Sequence, residues 1–249
     1  MFNDYQKQAI VWDWDKYDDS QEYEYWCDYA EKFGKDVLIP MCAHGKAGAY
    51  MAEKGFSVTA FDITPEMIDE GKKRYGLVKG LQLVVADIID LDLNNKHFDF
   101  VFIAGYGDLH LLLSIKDIER TFISLYKHIR IGGCLVLELT LPPKNSWSSP
   151  KQIYHPRVPN YTDKNVWKES ESRYDADEKR QYINQTVYIE DDNGINSFVQ
   201  SVCLQYYERD EILTLLDKCG FSIINEYCNR QKEPWKSNEE SWIVEAIVK

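Results

Sequence analysis

Residues 37–64 read VLIPMCAHGKAGAYMAEKGFSVTAFDIT. A short apolar run at 36–40 gives way to a turn of small residues. A helical pattern follows at 47–54, ended by Gly55, and then a β-branched and aromatic run at 56–61 with Asp62 behind it. The segment therefore predicts strand, turn, helix, strand, acid. In such a unit the first turn lies at the carboxyl edge of a parallel sheet. Small residues there admit a ligand to the backbone, and the helix start offers unpaired N–H groups. An acid ending the second strand is placed to accept hydrogen bonds from both hydroxyls of a ribose. The competing reading is that Asp62 only caps the next helix.

The alternation continues outward from this segment. Thr64 is placed to N-cap TPEMIDEGKKRYG, with Pro65 at the first helical position. Runs at 81–85 (LQLVV) and 98–104 (FDFVFIA) predict a third and a fourth strand. Residues 115–129 have helical periodicity, and Gly132-Gly133 predicts a turn into a fifth strand at 134–139. Strands alternating with helices predict an α/β fold, a doubly wound, mostly parallel sheet. From 141 to 167 Pro, Trp and Tyr concentrate without a clear period. Residues 182–190 and 195–207 are strand-like and are joined by Asp191-Asp192-Asn193-Gly194, in which Asn-Gly signals a hairpin. A helix at 208–219 closes with Gly220, and strands at 221–227 and 241–248 end the chain. With no helix between them, that last pair is expected to be antiparallel.

The composition narrows the function classes. A chain of 249 residues with 44% apolar content can bury one full α/β core. No run approaches the ~18 apolar residues a membrane helix needs. The acidic, aromatic start MFNDYQKQAIVWDWDKYDDS lacks the pattern of a secretory leader, so a cytoplasmic protein is expected, without a membrane partner. The six cysteines form no CxxC pair and no zinc-type spacing with His, and are expected as buried thiols with no metal site. A net charge of −12, with basic residues scattered among acids, argues against a nucleic-acid partner.

The segment at 37–64 resembles the class I S-adenosylmethionine-dependent methyltransferases of small-molecule type. Their first motif is an acid and then three alternating glycine positions. Here Ile39 stands at the acid, Met41 and Ala43 at the first two glycines, and Gly45 at the third, seventeen residues before Asp62 as in the family. Ala86-Asp87-Ile88 matches the adenine-binding step after the third strand, and Phe98-Asp99-Phe100-Val101-Phe102 resembles the family's fourth strand. Gly132-Gly133 and the closing helix, strand, loop and strand also resemble the family. In WDWDKYDDSQEYEYW, Tyr17-Asp18 resembles an aromatic segment that lids the cofactor. Trp12, Trp14, Tyr17, Tyr23, Tyr25 and Trp26 read equally well as aromatics of a helix packed on the sheet.

The resemblance implies a seven-stranded, mostly parallel sheet with an antiparallel last strand and an inserted hairpin over the active edge. It implies S-adenosylmethionine as cofactor, held by Met41, Ala43, His44, Gly45, Asp62, Ile63, Met67, Asp87, Ile88, Ala104, Gly105 and Tyr17. It divides one domain into an N-terminal aromatic helical lid (1–35), a cofactor core (36–140), a substrate-side insert (141–207) and a closing helix and strands (208–249). The implied reaction is methyl transfer to a nitrogen or oxygen of a small molecule, for which a protein must mainly align the acceptor and exclude water.

The acceptor is expected just past the fourth strand, at Tyr106-Gly107-Asp108-Leu109-His110. His110 is the candidate general base and Tyr106 a hydrogen-bonding partner, while Asp108 reads as an N-cap. The bland alternative makes His110 a helix-start residue only, and His44 is expected to make a local contact. Two rival functions remain open. Ala43-His44-Gly45-Lys46-Ala47-Gly48 is A-x-G-x-x-G, close to the fingerprint of NAD(P)- or flavin-dependent oxidoreductases. The departures at Ile39, Met41 and Ala43 also suit a non-catalytic ligand-binding protein on the same fold. DNA amino-methylation is disfavoured, because Leu141-Pro142-Pro143-Lys144 lacks the flanking residues of that motif and follows the fifth strand.

Overall fold

The alternation builds a seven-stranded sheet in the order β10-β11-β5-β4-β1-β2-β3. Its strands are β1 (Asp36–Ile39), β2 (Ser57–Asp62), β3 (Leu81–Val85), β4 (Phe98–Ile103), β5 (Ile129–Thr140), β10 (Phe221–Tyr227) and β11 (Ser241–Val248). The computed structural model describes residues 4–12, 19–104, 108–143, 147–155 and 165–249. β1 through β5 pair in parallel, and β11 runs antiparallel between β5 and β10. The expected fold class is what forms.

Alternate residues of each central strand enter opposite layers. Val37 and Ile39 of β1, with Phe100 and Phe102 of β4, pack under α2 (Ser20–Phe33), α3 (Lys46–Glu53) and α4 (Pro65–Tyr75). Leu38, Val101 and Ile103 pack under α5 (Ile115–Tyr126) and α6 (Arg209–Lys218) on the other face. Burial on both faces explains why these strands read as unbroken apolar runs.

Two sequence expectations shift. β5 begins at Ile129, so Gly132-Gly133 lies inside the strand; its pairing with β4 jumps from Phe98↔Ile129 to Phe100↔Cys134. The extra residues form a bulge, with Gly132 at φ 80° and a Cβ on Gly133 only 3.0 Å from the Asp99 carbonyl. The insert holds more than a hairpin. β6 (Ser149–Tyr154), β7 (Asn165–Asp175), β8 (Arg180–Asp191) and β9 (Gly194–Gln205) form a separate antiparallel sheet in chain order. β7, NVWKESESRYD, shows no apolar alternation, so pairing with β8 rather than pattern makes it a strand. Asp191 pairs with Gly194, which takes φ 109° directly after the two-residue turn.

The N-terminal part forms α1 (Asp4–Val11) and α2. Tyr25, Trp26 and Tyr29 of α2 are buried, and Trp26 stacks on Phe102 at 4.4 Å. These aromatics belong to the core. Trp14 and Tyr17 lie outside the described residues. α1 packs on α4 and, through Ile10 and Val11, on Val166, Val187, Ile189 and Phe198 of the second sheet. Among the described residues no helix is long and apolar enough to cross a membrane, and all six cysteines are unpaired thiols.

Candidate cofactor and acceptor site

The turn after β1 is built from left-handed backbone. Met41 has φ 54°, Ala43 φ 50° and Gly45 φ 78°. These are the three alternating glycine positions of the resemblance, and all three keep the conformation that glycine accommodates best. Cys42 N–H donates to the Phe61 carbonyl at 2.9 Å, tying the turn to β2, and Gly45 N–H donates to the Cys42 carbonyl at 2.8 Å. A Cβ on Gly45 would stand 2.4 Å from Leu83 Cδ2, so the turn lies hard against β3.

Asp62 ends β2 beneath this turn. Ala43 N–H donates to one carboxylate oxygen at 2.9 Å and Thr64 N–H to the other at 2.9 Å. One oxygen holds the start of α4, and each oxygen retains acceptor capacity for a further donor. Thr64 occupies the N-cap position of α4 with Pro65 behind it, without a side-chain cap bond. Ile63 projects from the same edge, 64% exposed. Asp87 follows β3, and one of its oxygens accepts from Ile89 N–H at 2.9 Å. Ala104, at the end of β4, is half-buried beside Phe102.

Other expected contacts are turned inward. Met67 and Ile88 are 4% and 5% exposed, so their side chains offer a ligand almost no surface. His44 is buried, with Nδ1 2.9 Å from a terminal nitrogen of Arg74, thirty residues further along the chain. Cys42 is no nucleophile: burial, with Asp62 and Asp108 nearby, pushes its thiol well above the usual range. Gly105, Tyr106 and Tyr17 lie outside the described residues.

His110 lies in a 3-10 turn, Leu109–Leu111, with Asp108 at its N-cap position. Thr140 N–H donates to Nε2 at 3.3 Å, so Nε2 accepts and Nδ1–H donates to the Gln205 carbonyl at 3.0 Å. Burial lowers its pKa to about 4. A neutral imidazole with both nitrogens engaged has no lone pair for a substrate proton. In this geometry His110 joins β5 to β9, as a structural residue would. Its ring packs on Tyr206, which also meets Trp147 and Tyr174 edge-on. The Tyr207 hydroxyl donates to the Leu112 carbonyl at the same joint.

Sequence reading missed Arg74 and the pair Asp19–Lys46, at 3.1 Å, which ties the start of α2 to the start of α3. In sequence both cations look like ordinary surface charges. Among the described residues no cluster of three or more His, Cys, Asp or Glu is placed to hold a metal.

A family model described as "Methyltransferase domain" matches residues 37–133, from β1 to the glycine bulge of β5. Residues 37–133 are thus similar to a methyltransferase domain. The chain is 25% identical over 103 residues to a putative methyltransferase, YqeM, of Bacillus subtilis, covering 41% of each chain. The match thus spans about two fifths of that curated relative's length. Two solved structures share the fold over nearly the whole chain. A methyltransferase of Clostridium acetobutylicum aligns with TM-score 0.77 and 16% identity, covering 99% of both chains. The sugar N-methyltransferase KedS8 of a Streptoalloteichus species aligns with TM-score 0.76 and 15% identity, covering 100% of this chain and 94% of that one.

Proposed function

We propose that the chain binds S-adenosylmethionine at the carboxyl edge of β1, β2 and β3 and methylates a small, polar acceptor held beneath the second sheet. The observation that carries the cofactor reading is the Asp62 carboxylate, oriented by Ala43 N–H and Thr64 N–H directly under a left-handed turn. Its two oxygens suit the two ribose hydroxyls, Ala43 and Gly45 leave room for the ligand to approach the turn, and Ile63 and Asp87 suit the adenine. When bound, the cofactor supplies a methyl group on a sulfonium leaving group.

The acceptor reading rests on the second sheet. One face carries Val166, Val187, Ile189 and Phe198 against α1 at one end. At the other end the same face carries Tyr174 and reaches Tyr206 beside His110. The stretch between these anchors bridges from α4, after β2, to the 3-10 turn after β4, and so roofs the carboxyl edge. Strand alternation puts Ser170, Ser172, Gln185 and Gln200 on this face, all half-buried, with Gln185 donating to Ser170 at 3.3 Å. Ile183 and Val202 share this face, so a roof of hydroxyls and amides with two aliphatic side chains suits an acceptor that has hydrogen-bonding groups and an apolar side. A hydroxyl acceptor usually needs a base, whereas an amine presented neutral needs only alignment. With His110 engaged, nitrogen is the favoured acceptor atom, and the sugar N-methyltransferase among the structural neighbours supports an amino sugar or a similar polar amine.

Calorimetric titration with S-adenosylmethionine, S-adenosylhomocysteine and NADH tests the cofactor. Binding of the two sulfur nucleosides at about micromolar Kd, with no heat from NADH, is the expected outcome. Binding of NADH alone would restore the oxidoreductase reading. Turnover with amine-bearing sugars, measured against their hydroxyl analogues, then tests the acceptor atom and separates an enzyme from a mere binder.

A further inference from the structure

We propose that Arg74 is a positioning residue that couples occupancy of the cofactor turn to the docking of α1. The inference rests on the cofactor reading of that turn. Arg74 lies in the last turn of α4, its side chain 12% exposed. One terminal nitrogen is 2.9 Å from His44 Nδ1, inside the turn between Ala43 and Gly45. The other donates to the carbonyls of Ala9 and Ile10 at 3.3 and 3.4 Å. Nε donates to Glu70 at 3.0 Å, which holds the fork in place.

The Ala9 and Ile10 carbonyls belong to the last turn of α1, where a helix leaves acceptors unpaired and where its dipole favours a cation. Guanidinium carries only donors, so His44 Nδ1 is the acceptor in this contact. The path is stiff. A Cβ on Gly71 would come within 2.3 Å of the His44 carbonyl, so α4 packs backbone to backbone against the turn. Beyond Arg74, Ile10 and Val11 of α1 pack on the second sheet. A ligand that fixes the turn thereby fixes His44, Arg74, the end of α1 and one anchor of the acceptor roof. Lysine has a single point-like ammonium and cannot reach the turn, Glu70 and α1 together.

The test is amide hydrogen exchange with and without saturating S-adenosylhomocysteine, alongside its Kd by calorimetry. In the wild-type protein the ligand is expected to slow exchange in residues 41–45 and also in α1. In Arg74→Lys, protection of 41–45 persists, protection of α1 is lost, and affinity falls by about fivefold or more. His44→Leu and His44→Asn provide a second route that keeps Arg74 itself. Asparagine retains an acceptor near the Nδ1 position and is expected to preserve α1 protection, whereas leucine abolishes it. Protection of α1 that survives in both Arg74→Lys and His44→Leu, or a wild-type α1 indifferent to bound ligand, would overturn the coupling alone. Failure of the wild-type protein to bind S-adenosylhomocysteine would overturn the cofactor reading and this proposal with it.

Discussion

Asp62 and Ala43 meet in one hydrogen bond, yet replacing them should move different observables. Charge-assisted hydrogen bonds are worth about 1.5–3 kcal/mol each, so Asp62→Ala is expected to weaken S-adenosylhomocysteine binding by roughly tenfold to a hundredfold or more. Calorimetry on a variant shown to be folded checks this, and unchanged affinity would remove Asp62 from the ribose. Ala43 instead holds a left-handed φ of 50° that costs a residue with a Cβ about 1 kcal/mol. Ala43→Gly should therefore stabilise the fold by about that amount and raise Tm by ~2–4 °C in a chain of this size. Met41 shares the conformation, but its side chain packs against the core, so Met41→Gly would mix relief of strain with lost packing. No rise in Tm for Ala43→Gly would mean that the turn, not its residues, carries the strain.

At the scale of elements, α2 fixes the place of Tyr25, Trp26 and Tyr29, while Tyr17, which carries the lid reading, lies outside the described residues. Trp26 is 1% exposed and lies 7° from parallel with Phe102. Tyr29 stacks on Phe100 and donates to Glu245, a carboxylate buried on β11 that also accepts from Asn225 at 2.7 Å. A helix so integrated is part of the fold. Trp26→Ala is expected to cost about 3–5 kcal/mol by denaturant titration. A lid aromatic would lose less than about 0.5 kcal/mol and weaken ligand binding instead.

The molecule is two sheets joined at α1 and at the His110–Tyr206 contact. His110 makes that joint pH-sensitive. Its pKa is about 4 in the fold, against an ordinary value of 6.5, so the unfolded chain takes up the proton first. Stability contributed by the neutral ring is complete above pH 6.5 and is lost as pH falls toward 4, on the order of 3 kcal/mol in all. Denaturant titrations across that window should show the loss in the wild-type protein and not in His110→Gln. Equal slopes would show that the ring is not buried neutral. For the same reason His110 should leave no inflection near pH 6.5 in a rate profile.

The strand–helix alternation, the order of the core elements and the first turn followed by Asp62 could all be read from local pattern. They rest on short-range physics: apolar strands covered on both faces, glycine and proline punctuation, and a turn one helix away from its acid. The family's glycine positions were legible at Met41 and Ala43 even where the glycines are gone, because position within the unit sets the backbone. The four-stranded insert was only half visible, since β7 acquires its conformation from neighbours that stand far away in sequence. The two readings of His110, base or helix-start residue, stayed open in the sequence for a similar reason. Histidine identity says that a proton can move near neutral pH, but burial and the backbone of residues 140 and 205 decide whether it does. Arg74 looked like one more charge at a helix end. Its contacts with His44, Ala9 and Ile10 join segments thirty or more residues away, and packing alone brings such partners together.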